Sequence, residues 1–161
     1  MNTATPEIYK PVQLLLVEDS PGDVRLTQHA FAEANANVQV HVATDGLLAM
    51  AFLKREGIHV DAPRPDFILL DLNVPKVNGR DVLAHIKTDS SLKAIPVVVL
   101  TSSAADLDIM TSYRFHANCY LTKPVRLDDF ENLVRCINNF WLNNVQLPRS
   151  VVQNMPDVMP C

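Results

Sequence analysis

Phe67-Ile68-Leu69-Leu70-Asp71-Leu72-Asn73-Val74-Pro75 is the stretch that decides the fold. Four apolar residues end abruptly in an acid, and a proline that cannot continue a ladder follows, so a buried strand delivers one carboxylate, Asp71, to a loop. Ligands of an open parallel sheet bind outside the carboxyl ends of its strands, so partners of Asp71 belong at the ends of other apolar runs. Three such runs are present. Leu14-Leu15-Leu16-Val17 ends in Glu18-Asp19, Val97-Val98-Val99-Leu100 ends in Thr101-Ser102-Ser103, and Tyr120-Leu121 leads into Thr122-Lys123-Pro124.

Outward from these runs the chain alternates strand with helix. Residues 1–11 lack periodicity and form a lead-in, and a strand follows over 12–17. Ser20 caps a helix with Pro21 at its first position and Asp23 near the positive end of its dipole. After 35–37, Val38-Gln39-Val40-His41-Val42 alternates as an edge strand should. Thr44-Asp45-Gly46 opens a helix whose Leu47, Leu48, Met50, Ala51 and Leu53 give an apolar face up to Glu56. Residues 57–66, with Pro63 and Pro65, read as a loop. Val77-Asn78-Gly79 turns into a helix bearing Val82, Leu83 and Ile86. A strand over 96–100, a helix over 104–116 and a short strand over 118–121 follow. The last helix begins near Val125, carries Leu133, Val134, Ile137, Phe140 and Trp141 at spacings of three and four, and reaches Val145. Residues 149–161 form a loose tail. Five strands alternating with five helices make a doubly wound parallel sheet with helices on both faces, and the domain spans 12–148.

With 161 residues the chain is long enough to bury one core without staples. A hydrophobic share of 48% against 20% charged residues excludes a disordered chain. The net charge of −4, without clustered Lys and Arg, argues against direct DNA binding. No apolar run approaches the roughly 18 residues of a membrane span, and the N-terminus lacks a signal-peptide pattern, so the expectation is a soluble cytoplasmic protein. Cys119, Cys136 and Cys161 are odd in number and lack metal-ligand spacing, which favours reduced thiols. The five histidines, 29, 41, 59, 85 and 116, never recur at a helical spacing that would pair them on a metal.

Glu18, Asp19 and Asp71 at neighbouring strand ends repel one another unless a cation sits among them. An all-oxygen set suits magnesium, or manganese, and leaves Asp71 an oxygen free for nucleophilic chemistry toward phosphorus. Thr101 can donate a hydrogen bond to a phosphoryl oxygen, and Lys123 supplies a compact positive charge. Singly, each has a plainer explanation: Asp19 as a helix-start acid, Thr101 as a turn residue, Lys123 as a solvated charge. Their joint occurrence at strand ends points to a site.

Together Val17-Glu18-Asp19-Ser20, the Asp71 to Pro75 turn running on to Asn78-Gly79, the strand ending in Thr101, and Tyr120-Leu121-Thr122-Lys123-Pro124 resemble the receiver domain of two-component response regulators. The resemblance covers roughly residues 12–145. It implies a flavodoxin-like (βα)5 fold with strand order 2-1-3-4-5 and Asp71 as phosphoacceptor. It also implies Glu18 and Asp19 as metal ligands with the Asn73 backbone carbonyl, Thr101 and Lys123 as phosphoryl-binding groups, and Tyr120 as an aromatic switch. Val74 stands where many receivers carry Met. The proline-containing loop before the central strand and the closing stretch from Asn139 to Pro148 are similar to stand-alone response regulators that partner cyanobacterial phytochrome histidine kinases. That resemblance implies a phytochrome-type kinase upstream, an unknown downstream protein, and signalling through a protein surface rather than through a DNA-binding or enzymatic domain. Phe140 and Trp141 are the residues expected either to pack in the core or to form a homodimer interface.

Three readings stay open on the sequence. One is a phosphorylatable receiver, which is a regulator rather than an enzyme. A magnesium-dependent aspartyl-phosphate hydrolase is the second, but it would typically carry an aspartate where Asn73 stands. The third is an interaction module without phosphorylation, against which the intact set Glu18, Asp19, Asp71, Thr101 and Lys123 speaks.

Overall fold

Strand β3 (Phe67–Leu70) is wholly shielded from solvent, and the rest of the molecule is arranged on either side of it. The computed structural model describes residues 10–34 and 37–148. Most of the lead-in, the segment at Asn35 and Ala36, and the expected tail over 149–161 lie outside the described residues. The remaining elements are β1 (Val12–Val17), α1 (Pro21–Glu33), β2 (Val38–Ala43), α2 (Gly46–Lys54), α3 (Gly79–Thr88), β4 (Val97–Thr101), α4 (Asp106–Arg114), β5 (Cys119–Thr122) and α5 (Leu127–Ile137). The five parallel strands lie in the order β2-β1-β3-β4-β5, as the resemblance implied.

Alternate residues of each strand face opposite sides. Leu15, Val17, Ile68, Leu70, Val97 and Val99 pack with Phe52 of α2 and with Val82, Leu83 and Ile86 of α3. Leu14, Leu16, Phe67, Leu69, Val98 and Leu100 pack with Phe31 of α1 and with Phe130, Val134 and Ile137 of α5. Each large aliphatic or aromatic side chain so buried contributes roughly 2 kcal/mol, so the central strands hold the sheet rigid beneath the loops at its carboxyl edge. Helix α4 differs. It buries Ser112 and leaves Leu107, Met110 and Tyr113 exposed.

Register sets the site. Val17 lies level with Leu70, and Leu70 with Val99, so Glu18 and Asp71 emerge side by side. Thr101 pairs with Thr122, which brings Lys123 in directly behind. The backbone continues the ladder past the strand ends, with the Asp71 N–H donating to the Val17 carbonyl at 3.0 Å and the Lys123 N–H to the Thr101 carbonyl at 2.7 Å.

Element ends differ from the sequence expectation at a few places. Helix α2 stops at Lys54 because Arg55 takes a left-handed conformation, φ 55°, that closes the last turn. Residues 57–59, within the expected loop, form one 3-10 turn. Helix α4 is shorter at both ends than the expected 104–116. The final helix does run on to Asn144, but beyond Ile137 it widens into a π-helix over Asn138–Asn144. There Trp141 packs on Phe67 with ring centroids 5.3 Å apart, while Phe140 is 55% exposed. Of the two aromatics, Trp141 belongs with the core.

Candidate functional site

The Asp71 side chain is buried just past the end of β3, and its donors stand at or just beyond the carboxyl ends of parallel strands: Asn73 after β3, Thr101 as the last residue of β4 and Lys123 after β5. Its Oδ1 accepts from the Thr101 hydroxyl at 2.8 Å and from the Asn73 N–H at 2.9 Å. Its Oδ2 accepts from Lys123 Nζ at 3.0 Å. Burial by itself would raise the Asp71 pKa, but the Asn73 N–H, the Lys123 charge and the Thr101 hydroxyl outweigh it and hold the carboxyl below the ordinary range. The group is therefore ionised and aimed, as a nucleophile must be.

Lys123 donates to three carboxylates: Glu18 Oε2, Asp23 Oδ2 at 2.9 Å and Asp71 Oδ2. Desolvation opposes its charge, yet these acids raise its pKa above the ordinary lysine value. Glu18 is also buried and its Oε1 accepts from the Ser20 N–H at 3.1 Å. Burial pushes the Glu18 carboxyl up to about 7, the negative Asp71 adds to this, and Lys123 opposes it.

Glu18, Asp19 and Asp71 each present an oxygen within 4.8 Å of the others, with Asp19 on the exposed side. Hard carboxylate oxygens at this separation, with no sulfur or imidazole among them, fit a divalent cation of the magnesium, calcium or manganese kind. These are the acids the sequence picked out.

Two glycines let the loop after Asp71 lie flat on the helices. A Cβ on Gly79 would stand 2.3 Å from the Asp71 carbonyl oxygen and 2.5 Å from Leu72 Cα, and one on Gly46 would stand 1.7 Å from the Val77 carbonyl oxygen. Neither distance admits a side chain. The Gly79 N–H donates to the Leu72 carbonyl at 3.0 Å and the Gly46 N–H to the Pro75 carbonyl at 3.2 Å. Asp45 caps α2 through the Leu48 N–H and pairs with Lys76 at 3.3 Å, fixing the far side of the loop.

Asn73 donates its side-chain amide to Thr101 Oγ1 at 3.3 Å, so Thr101 is held from both sides. Tyr120 lies partly buried, its hydroxyl donating to the Ser103 carbonyl at 2.7 Å. The Ser103 hydroxyl donates to Asp108 at 2.6 Å, and Asp108 forms a two-pronged pair with Arg80. This second network joins α3, α4 and the loop after β4.

Sequence reasoning picked out neither Arg80 nor Asp108, and it explained Asp23 as a dipole-stabilising acid alone. The only available signal was an acid in the first turn after a strand, which is common at helix starts. Phe140 and Trp141 stand apart from this chemistry. With Cys119, Leu121, Cys136 and Ile137 they line an apolar cavity of about 260 Å³ between β5 and the end of α5. Among the described residues no helix is long and apolar enough to cross a membrane.

A family model for the response regulator receiver domain matches residues 14–135. The chain is 49% identical over 138 residues to Response regulator Rcp1 of Synechocystis sp., covering 86% of this chain and 94% of that protein. The crystal structure of the Mn(2+)-bound form of Rcp1 superposes with a TM-score of 0.84 at 49% identity, over 86% of this chain and 99% of that one. The phosphorylated cyanobacterial phytochrome response regulator RcpA superposes with a TM-score of 0.83 at 48% identity, over the same shares. Strand-end acids, a buried aspartate under a threonine and a lysine, the sheet order and these likenesses agree: the chain belongs to the response regulator receiver family.

Proposed function

We propose that Asp71 accepts a phosphoryl group from a phosphohistidine of a histidine kinase of the phytochrome type, and that the protein passes the signal on through a phosphorylation-dependent surface. The observation that carries this reading is the arrangement around Asp71: one oxygen fixed by Thr101 and Asn73, the other on Lys123, with two further acids alongside. In the transfer an Asp71 oxygen bonds to phosphorus as the bond from phosphorus to the histidine nitrogen breaks, and the imidazole leaves. Glu18, Asp19, Asp71 and the Asn73 carbonyl are the residues that would hold magnesium, or manganese. When bound, the cation offsets negative charge on the phosphoryl oxygens. The Thr101 hydroxyl and the Lys123 ammonium, now on Asp71, turn to the phosphoryl oxygens.

Thr101 moving toward the phosphoryl group draws the following loop with it. Tyr120 must then give up the Ser103 carbonyl to turn inward, which alters the surface formed by α4, β5 and α5. The likeness to RcpA, a phosphorylated cyanobacterial phytochrome response regulator, supports the kinase assignment. The unit that performs this spans 12–148 and works in the cytoplasm, with a downstream protein as its target. Phe140, held out by Trp141 anchored on Phe67, is the residue offered to a second copy in a homodimer. The hydrolase reading is weakened by Asn73, which has no proton to trade in acid–base catalysis and is committed to Thr101.

Incubation with acetyl phosphate and magnesium, followed by intact-protein mass spectrometry, tests the central step. One phosphoryl adduct is expected, dependent on the cation and absent in Asp71→Asn. An adduct that persists in Asp71→Asn, or steady turnover without accumulation, would overturn it. Sedimentation of wild type against Phe140→Ala tests self-association, with a monomeric wild type as the contrary result.

A further inference from the structure

We infer that Asp23 is a positioning residue for Lys123, holding the ammonium in place when a cation engages Glu18 and Asp71; this rests on the proposed phosphoacceptor function. The three donors of Lys123 meet three carboxylates, and those three are not equivalent. Glu18 and Asp71 belong to the acidic trio whose oxygens converge within 4.8 Å, whereas Asp23 does not. Asp23 reaches Lys123 from the first turn of α1, outside that trio, and is 100 residues from it in the chain.

A cation on the trio withdraws negative potential from Glu18 and Asp71 and repels the ammonium. Lysine is a point charge on a flexible stem and would swing away without a fixed acceptor. Asp23 is such an acceptor. Its backbone is pinned by Ser20, which takes the Asp23 N–H at 3.3 Å, while the Ser20 N–H is itself bonded to Glu18. The Lys123 side chain is 9% exposed against 32% for Asp23, so the acid is the more solvent-exposed partner of the pair. An acid serving only the helix dipole needs no contact with Lys123. Without Asp23, the ammonium would be left to Glu18 and Asp71 and would compete with the cation for their oxygens.

The test is a double-mutant cycle read by Mn2+ binding, using MnCl2 and the electron paramagnetic resonance signal of the free ion, which does not depend on phosphorylation. Asp23→Asn should weaken Mn2+ binding by roughly tenfold, within the range for coupling between contacting groups. In a Lys123→Ala background the same change should alter binding by less than about twofold, because the group through which Asp23 acts is gone. Lys123→Gln serves as a second background should the alanine variant fold poorly. Asp23→Glu should restore most of the affinity, and acetyl phosphate labelling of Asp71 should slow in Asp23→Asn and recover in Asp23→Glu. Equal losses in both backgrounds, or none in either, would overturn the inference while leaving the phosphoacceptor reading intact. Failure of wild type to bind Mn2+ and to form the adduct would remove both.

Discussion

Two cations meet carboxylates near the carboxyl edge of the sheet, and they do so in opposite ways. Lys123, nearly buried, divides its charge among Glu18, Asp23 and Asp71, which come from the ends of two strands and the start of a helix. Arg80, 34% exposed, gives its whole fork to one acid, Asp108, through Nε at 2.7 Å and Nη2 at 2.6 Å. A lysine is a point charge that can redistribute among acceptors as their charges change, whereas a guanidinium fork fixes distance and angle to one partner. In the proposed transfer the first cluster is the one that would be remade. The second ties α3 to α4 and, through Ser103, holds the carbonyl to which Tyr120 donates.

The largest break comes from Lys123→Ala. It leaves Glu18 and Asp71 buried without their counter-ion, and urea unfolding at pH 7 should show a loss of about 3 kcal/mol. At pH 5, where Glu18 carries its proton, the loss should be smaller; an equal loss at both values would mean that charge is not the cause. Gly79→Ala comes next and strikes both clusters, since Gly79 precedes Arg80 and lies against the Asp71 carbonyl. Forced displacement of this loop should cost about 2 kcal/mol and slow acetyl phosphate labelling of Asp71. A variant as stable and as reactive as wild type would show that the loop can move aside freely. Arg80→Ala should cost about 1 kcal/mol, because a partly exposed pair is screened by water. It should also change the near-ultraviolet dichroism of Tyr120 as its acceptor loop loosens, and an unchanged spectrum would separate the arginine from Tyr120.

The contrast can also be sharpened by pH in the metal-free protein. Glu18 is raised from 4.5 to about 7 by burial, so its contribution to stability is complete below pH 4.5 and is lost as pH rises through 7. Asp108 is lowered below 3.8, first by Arg80 and then by Ser103, so its contribution is present above 3.8 and is lost as pH falls through the lower folded value. Glu18→Gln should flatten the loss between pH 5 and 7, and Arg80→Ala should soften the acid limb. Slopes of the same sign in the two variants would contradict the assignments.

What the sequence by itself determined is the chemistry that lives at strand ends. Apolar runs broken by Glu18-Asp19, Asp71, Thr101 and Lys123 are local patterns, and a parallel sheet brings its carboxyl ends to one edge whatever the details of packing. Those five residues do meet there, and the sheet has the expected order. Tertiary structure alone decided which charges pair. Asp23 reaches Lys123 across 100 residues and Arg80 reaches Asp108 across 28, distances over which no helical or strand period relates two positions. It also decided that Trp141 turns inward onto Phe67 while its neighbour Phe140 faces out. Spacing places both aromatics on a helix, but the widening of its last turns and the room beside Phe67 settle their directions. Side-chain pairing depends on where whole elements come to rest, and that is a property of the packed core.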